Sequence, residues 1–139
     1  MLALNDLKAL GHDVSHIPNE RPLPSTLALT AFPHYLIQYV NAVGYLGYLF
    51  HLEFLPTQNG PSYMKLLKKI GVPDEALTFL QEHSNIDNYH NKLMMEYVDQ
   101  LVKTEDDLRL VIYAARATCD LHGKMITSAF EAVENKNDL

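Results

Sequence analysis

One long stretch, residues 77–101, constrains the fold more than any other part of the chain. Its sequence, LTFLQEHSNIDNYHNKLMMEYVDQL, predicts a single helix with an apolar stripe. In the middle of that stripe stand His83, Asp87 and His90, whose spacing of i, i+4 and i+7 places them on one helix face. Two imidazoles and a carboxylate on an inward face cost free energy unless a partner satisfies them. A metal ion is the simplest such partner, and a polar cluster at a helix–helix contact is the alternative.

A second acidic residue falls on an apolar face earlier in the chain. Glu53 lies in the string FHLEFL, with Phe50 and Leu46 three and seven residues before it. Counting Glu53, the chain offers two imidazoles and two carboxylates, a set that suits iron or manganese and also zinc. The set contains no thiolate, which argues against an iron–sulfur cluster.

The apolar periodicity predicts an all-α chain. We expect helices at residues 2–10, 25–32, 34–55, 61–70, 77–101 and 105–134, and a long loop at 11–24. Within that loop His12, His16 and Glu20 are spaced by four, but Pro18 argues against the helix that would align them as ligands. In the last helix we expect an inward stripe with the members Leu108, Ile112, Ala115, Cys119, His122, Ile126 and Val133.

Length, charge and composition limit the classes of protein to which this chain can belong. The 139 residues are enough for one domain with its own core, and we predict a single helical domain over residues 1–139. The formal net charge of −6, with no basic run, argues against a nucleic-acid partner. Gln38, Asn41, His51 and Glu53 interrupt the most apolar helix, so we expect a core helix and no membrane partner. The chain has one cysteine and no signal-peptide pattern at its start, which favours the cytoplasm.

The string EHSNIDNYH, after an apolar helix that contains YLGYLFHLEFLP, resembles the heme-oxygenase-like diiron oxidases. These are also called iron-containing redox enzymes and include the CADD-like proteins. The resemblance extends from about residue 5 to about residue 130 and implies a heme-oxygenase/TenA-like helical bundle. In that family a His-x3-Asp-x2-His motif and a Glu about thirty residues before it bind two irons. The resemblance therefore implies that Glu53, His83, Asp87 and His90 are metal ligands.

The resemblance also implies that this chain holds only part of the family's set of metal ligands. The family's first helices carry two more carboxylates and a His for the same metal pair, and matching residues are not found in this chain. The chain thus resembles the C-terminal part of such an enzyme. A complementary chain could supply the remaining ligands, the chain could be truncated, or a homodimer could cover its exposed faces. We therefore expect an exposed apolar patch or a self-associated state.

Three interpretations of function stay open at this point. The first is an iron enzyme, with two irons if the site is completed, that uses O2 to oxidise a small organic substrate. The second is a non-catalytic helical interaction module, a degenerate remnant of the enzyme fold that keeps the motif as a polar cluster. The third is a mononuclear zinc or iron site. Manganese and zinc are less favoured than iron, and Cys119 and His122 are expected to be packed core residues.

Overall fold

The regular structure of the chain is helical. The computed structural model describes the backbone of residues 2–137 and the side chains of residues 2–54, 57–84 and 90–133, and no strand occurs in that backbone. The longer helices are α1 (Leu2–Ala9), α2 (Pro24–Tyr35), α3 (Tyr45–Lys69), α4 (Thr78–Leu101) and α5 (Glu105–Asn137). Short 3-10 turns lie at Ile17–Asn19, Ala42–Gly44 and Asp74–Ala76, and a π-helical turn lies at Leu36–Val40. The predicted all-α class is confirmed.

Helix ends follow local chemistry where the sequence carries clear signals. Gly11 and Gly71 have φ angles of 86° and 95°, the left-handed conformation that ends a helix and that side chains with a Cβ disfavour. At the start of α5 the Thr104 hydroxyl accepts from the Asp107 amide, and the Asp107 carboxylate accepts from the Thr104 amide, at 3.1 and 2.9 Å. This reciprocal pair is a capping box, with Asp in place of the usual Glu or Gln.

The predicted helix bounds between residues 24 and 69 are wrong. Helix α2 runs through Pro33, which is buried, instead of ending before it. The chain then leaves helical geometry at Asn41, whose backbone is extended and whose side chain accepts from the Val43 amide at 3.0 Å. Helix α3 begins at Tyr45 and continues through residues 56–61 to Lys69. A proline removes one backbone hydrogen bond from a helix, and tertiary packing can outweigh that loss.

The chain divides into two compact units, and helices α3 and α4 each contribute to both. The first unit joins Met1–Glu20 to Leu52–Leu93. In it the Asp6 carboxylate on α1 accepts from the amides of Thr78 and Phe79 at 3.1 and 2.9 Å, and also from the Thr78 hydroxyl. Asp6 therefore caps the start of α4 from a different helix.

The second unit joins Arg21–His51 to Met94–Leu139. Its core includes the buried side chains of Leu46, Met94 and Val111. At Gly47 a Cβ would lie 2.8 Å from the Ala115 amide nitrogen and would also overlap the Val111 carbonyl oxygen. The first turn of α3 thus lies directly against the backbone of α5, a close approach that requires glycine at this position.

The inward face of α5 differs from the predicted one. Its buried residues are Val111, Ala114 and Thr118, whereas the predicted stripe has exposed members such as Leu108, Ile112, Cys119 and Ile126. The two faces adjoin on the helix, and apolar spacing alone does not tell which of them has a neighbour. Among the described residues, no helix has both the length and the apolar character needed to cross a membrane.

Candidate metal centre

The structure brings two of the predicted ligands together within the first unit. Glu53 lies on α3 and His90 on α4, and Oε2 of Glu53 lies 3.0 Å from Nδ1 of His90. A carboxylate can only accept, so Nδ1 of His90 donates. The two side chains are 27% and 43% exposed, so this part of the site is partly shielded yet still open to a small ligand.

A third predicted ligand, His83, is held by its own helix. Its Nδ1 lies 2.7 Å from the Phe79 carbonyl oxygen, and its ring stands 4.1 Å from the Phe79 ring, centroid to centroid. A carbonyl oxygen has no proton to give, so Nδ1 carries the hydrogen, and in the neutral ring Nε2 keeps the lone pair. Histidines that bind metals are commonly oriented by such a bond from the other ring nitrogen.

The full predicted set is not assembled among the described side chains. Within residues 2–54, 57–84 and 90–133, no three His, Cys, Asp or Glu side chains lie close enough together to hold a metal ion. The side chain of Asp87 lies outside the described residues, so its place in the site stays a prediction. His16 and Glu20 lie 3.8 Å apart on the surface, each with more than half of its side chain exposed.

Two polar residues that the sequence analysis did not single out support the Glu53–His90 pair. The Thr57 hydroxyl donates to the Glu53 carbonyl oxygen at 2.9 Å, and Nδ2 of Asn91 donates to the same hydroxyl at 2.9 Å. These bonds tie α3 to α4 within one turn of the Glu53–His90 pair. The signal in the sequence was position alone: Thr57 follows Glu53 by one helical turn, and Asn91 follows His90 directly.

The donor set fits iron. Carboxylate with imidazole is the ligand chemistry of non-heme iron, and Glu53 and His90 bring one of each into contact. Among the described side chains, His83 does not join them in a group of three. The buried Oδ1 of Asn91 has no hydrogen-bond partner among the described residues. A buried acceptor without such a partner is a position where a water or another donor can bind.

A second histidine pair lies in the second unit. Nε2 of His51 and Nδ1 of His122 lie 3.1 Å apart, and the rings meet nearly at right angles, at 85°. Burial lowers the pKa of His51, and the nearby His122 lowers it further. One nitrogen of the pair must donate and the other accept, so the contact needs at least one neutral ring. His122 is thus half-buried against His51, while Cys119 is exposed.

Comparison with known proteins places the chain in a family. Searches of curated proteins and of solved structures found no match. A family model described as "Iron-containing redox enzyme" matches residues 1–123, which include every predicted ligand. The match confirms the resemblance and, with the helical architecture, the heme-oxygenase-like fold class, and it indicates iron as the metal. This chain belongs to the family of iron-containing redox enzymes.

Proposed function

We propose that this protein forms a non-heme diiron site that uses O2 to oxidise a small organic substrate. Glu53, His83, Asp87 and His90 are its ligands on this chain. The observation that carries the proposal is the contact of 3.0 Å between Glu53 and His90, because it joins the lone carboxylate of α3 to the histidine motif of α4. Bound iron would supply the electrons and the open coordination positions needed for O2 chemistry.

The chain's own residues prepare the site in separate ways. The Glu53 carboxylate offers negative charge to balance a cation, and the Phe79 carbonyl orients the imidazole of His83. Thr57 and Asn91 hold the backbone of α3 at Glu53. Partial exposure of Glu53 and His90 leaves a way in for O2 and a substrate.

Four donors on one chain are few for two irons. We propose that the remaining ligands come from further polypeptide, either a second copy of this chain or a complementary chain. The assembled protein as it purifies is therefore the proper sample for activity measurements.

O2 consumption tests this proposal. The purified protein is loaded with Fe(II) without oxygen and then mixed with oxygenated buffer in an oxygen electrode. We expect consumption in proportion to bound iron, and its loss in His90→Ala. His34→Ala, at an exposed histidine of α2, is the matched control and should consume O2 like the unaltered protein. Equal consumption by all three proteins would contradict the proposal.

The contact between Glu53 and His90 also supports a second candidate function, a non-catalytic interaction module. Glu53 and His90 satisfy each other without a metal, as expected if the motif were a polar contact between helices in a non-catalytic interaction module. In that case the protein would bind no iron, and His90→Ala would lower stability without any change in metal content. A single zinc that resists chelation would instead support a mononuclear site.

A further inference from the structure

The exposed side of α5 carries a regular apolar seam. Its eight members alternate in spacing between four and three residues over the whole helix: Leu108, Ile112, Ala115, Cys119, His122, Ile126, Ala129 and Val133. We call them the α5 seam. Ala115 and His122 are half-buried, and the other six are exposed. An average spacing of 3.5 residues is the repeat by which one long helix packs along another.

From this pattern we propose that the α5 seam is the interface of a homodimer in which two copies of α5 pack antiparallel. This inference does not depend on the proposed iron chemistry, because α5 supplies none of the proposed ligands. The partner that packs on the α5 seam is a second copy of this chain, because the seam is complementary to itself in one antiparallel register.

That register pairs large side chains with small ones at the positions between the ends and the centre of the seam. When the two helices are centred between Cys119 and His122, Ile112 lies opposite the partner's Ala129, and Ala115 lies opposite the partner's Ile126. Leu108 then meets the partner's Val133 at each end. Large-against-small pairing lets the side chains interdigitate without voids. A parallel pairing in register would set Ile against Ile and Ala against Ala.

The centre of the seam carries its polar residues. Cys119 lies opposite the partner's His122, and symmetry repeats the pair on the other side of the two-fold axis. His122 keeps its own contact to His51 at 3.1 Å, so its ring is already oriented within the subunit. A polar layer inside an apolar seam favours one register over its neighbours.

The contact area of the α5 seam determines how strongly two copies of the chain are expected to bind each other. From Leu108 to Val133 the helix rises about 38 Å, and at a helix diameter of about 10 Å the strip presents roughly 400 Å² in projection per subunit. That places the contact at the small end of specific interfaces. We therefore expect a reversible monomer–dimer equilibrium that depends on protein concentration.

Sedimentation equilibrium over a range of protein concentrations tests whether the α5 seam is a dimer interface. We expect the unaltered protein to dimerise and Ile126→Glu to raise the dissociation constant by roughly tenfold or more. Leu108→Glu, at the other end of the seam, should act in the same way. Tyr113→Glu is the matched control, because Tyr113 is an exposed apolar residue of α5 outside the seam, at 59% exposure. Circular dichroism checks that each variant keeps its helices.

Cross-linking tests the orientation. In a Cys119→Ser background, a mixture of Leu108→Cys and Val133→Cys proteins should form the mixed disulfide in preference to either symmetric one. A monomer at all concentrations, a dimer weakened equally by Tyr113→Glu, or a preference for symmetric disulfides would each overturn the proposal.

Discussion

At the scale of single residues, the candidate site depends on how each donor is held. His83 is oriented by a backbone carbonyl one turn earlier on α4. His90 is oriented by a carboxylate from another helix. The first contact forms within α4 alone, whereas the second requires α3 to pack against α4, so iron binding and helix packing should be coupled at His90.

Substitution of Thr57 tests whether its hydroxyl group positions Glu53. Thr57→Val removes the hydroxyl that joins Asn91 to the Glu53 carbonyl, so Nδ2 of Asn91 loses its partner. We expect iron affinity to fall by about tenfold, and the unfolding free energy to fall by about 1–2 kcal/mol. Fe(II) titration and urea denaturation measure the two effects.

Thr30→Val is the control for this change. The Thr30 hydroxyl also donates to carbonyls of its own helix, α2, but on an exposed face. It should leave iron affinity unchanged. If Thr57→Val also left the affinity unchanged, Thr57 would have no part in positioning Glu53.

At the scale of helices, the close approach of α3 to α5 gives a second prediction. Gly47→Ala would push a methyl group into the backbone of α5 near Val111 and Ala115. We expect a loss of about 1–3 kcal/mol of stability, because neither helix backbone can move aside cheaply. Chemical denaturation followed by circular dichroism measures the loss.

Gly123→Ala is the matched control on α5. A Cβ at Gly123 meets open space, so the substitution should stabilise the protein by about 0.5–1 kcal/mol through helix propensity. The same direction of change in both variants would contradict the packing described at Gly47.

The cap of α4 by Asp6 gives a prediction with a pH dependence. Asp6→Ala should lower stability by about 1 kcal/mol at neutral pH, as loss of a helix cap does. Burial raises the pKa of Asp6, but the hydrogen bonds from Thr78 and Phe79 outweigh it and bring the pKa below 3.8. The carboxylate therefore stabilises the fold above about pH 4, and this contribution disappears as the pH falls through the lowered pKa.

Thermal melts at pH 7 and at pH 3 test this prediction. The difference between the unaltered protein and Asp6→Ala should shrink as the pH falls. Asp120→Ala, at an exposed position of α5, is the control and should show no comparable loss at either pH. A difference that persists undiminished in acid would mean that Asp6 acts through packing and not through its charge.

The sequence predicts some helix bounds well and others badly, for a physical reason. Helix α4 and the ends at Gly11, Gly71 and Thr104 follow from local signals, namely apolar spacing, left-handed glycines and a capping box. The helix bounds between residues 34 and 70 do not follow from local signals. There the glycine at position 60 packs against Ser84 of α4, and Thr57 bonds to Asn91, so tertiary contacts keep α3 helical past a predicted break.

The site could be predicted in part for the same reason. Periodicity on α4 gathers His83, Asp87 and His90 onto one face without any knowledge of the fold. The pairing of Glu53 with His90 needed the resemblance, because nothing local to α3 determines which helix it faces. Thr57, Asn91 and the Asp6 cap were missed since each acts across helices far apart in sequence.

For the whole molecule, we propose that the protein works as an assembly. The family match indicates an iron-containing redox enzyme. Large apolar residues such as Phe130 and Ile70, both 70% exposed, lie on the surface of the described chain. A second chain that covered such side chains would remove apolar surface from water. We therefore expect activity and oligomeric state to be linked through assembly.

We infer that α3 and α4 together bind iron, and the metal content of the purified protein measures this. The protein is purified from iron-supplemented cells and analysed by plasma mass spectrometry beside Glu53→Gln and Glu82→Gln, the second being an exposed glutamate of α4. We predict iron in the unaltered protein and in Glu82→Gln, and its loss by about tenfold or more in Glu53→Gln. Iron retained in full by Glu53→Gln, or its absence from all three proteins, would contradict the claim.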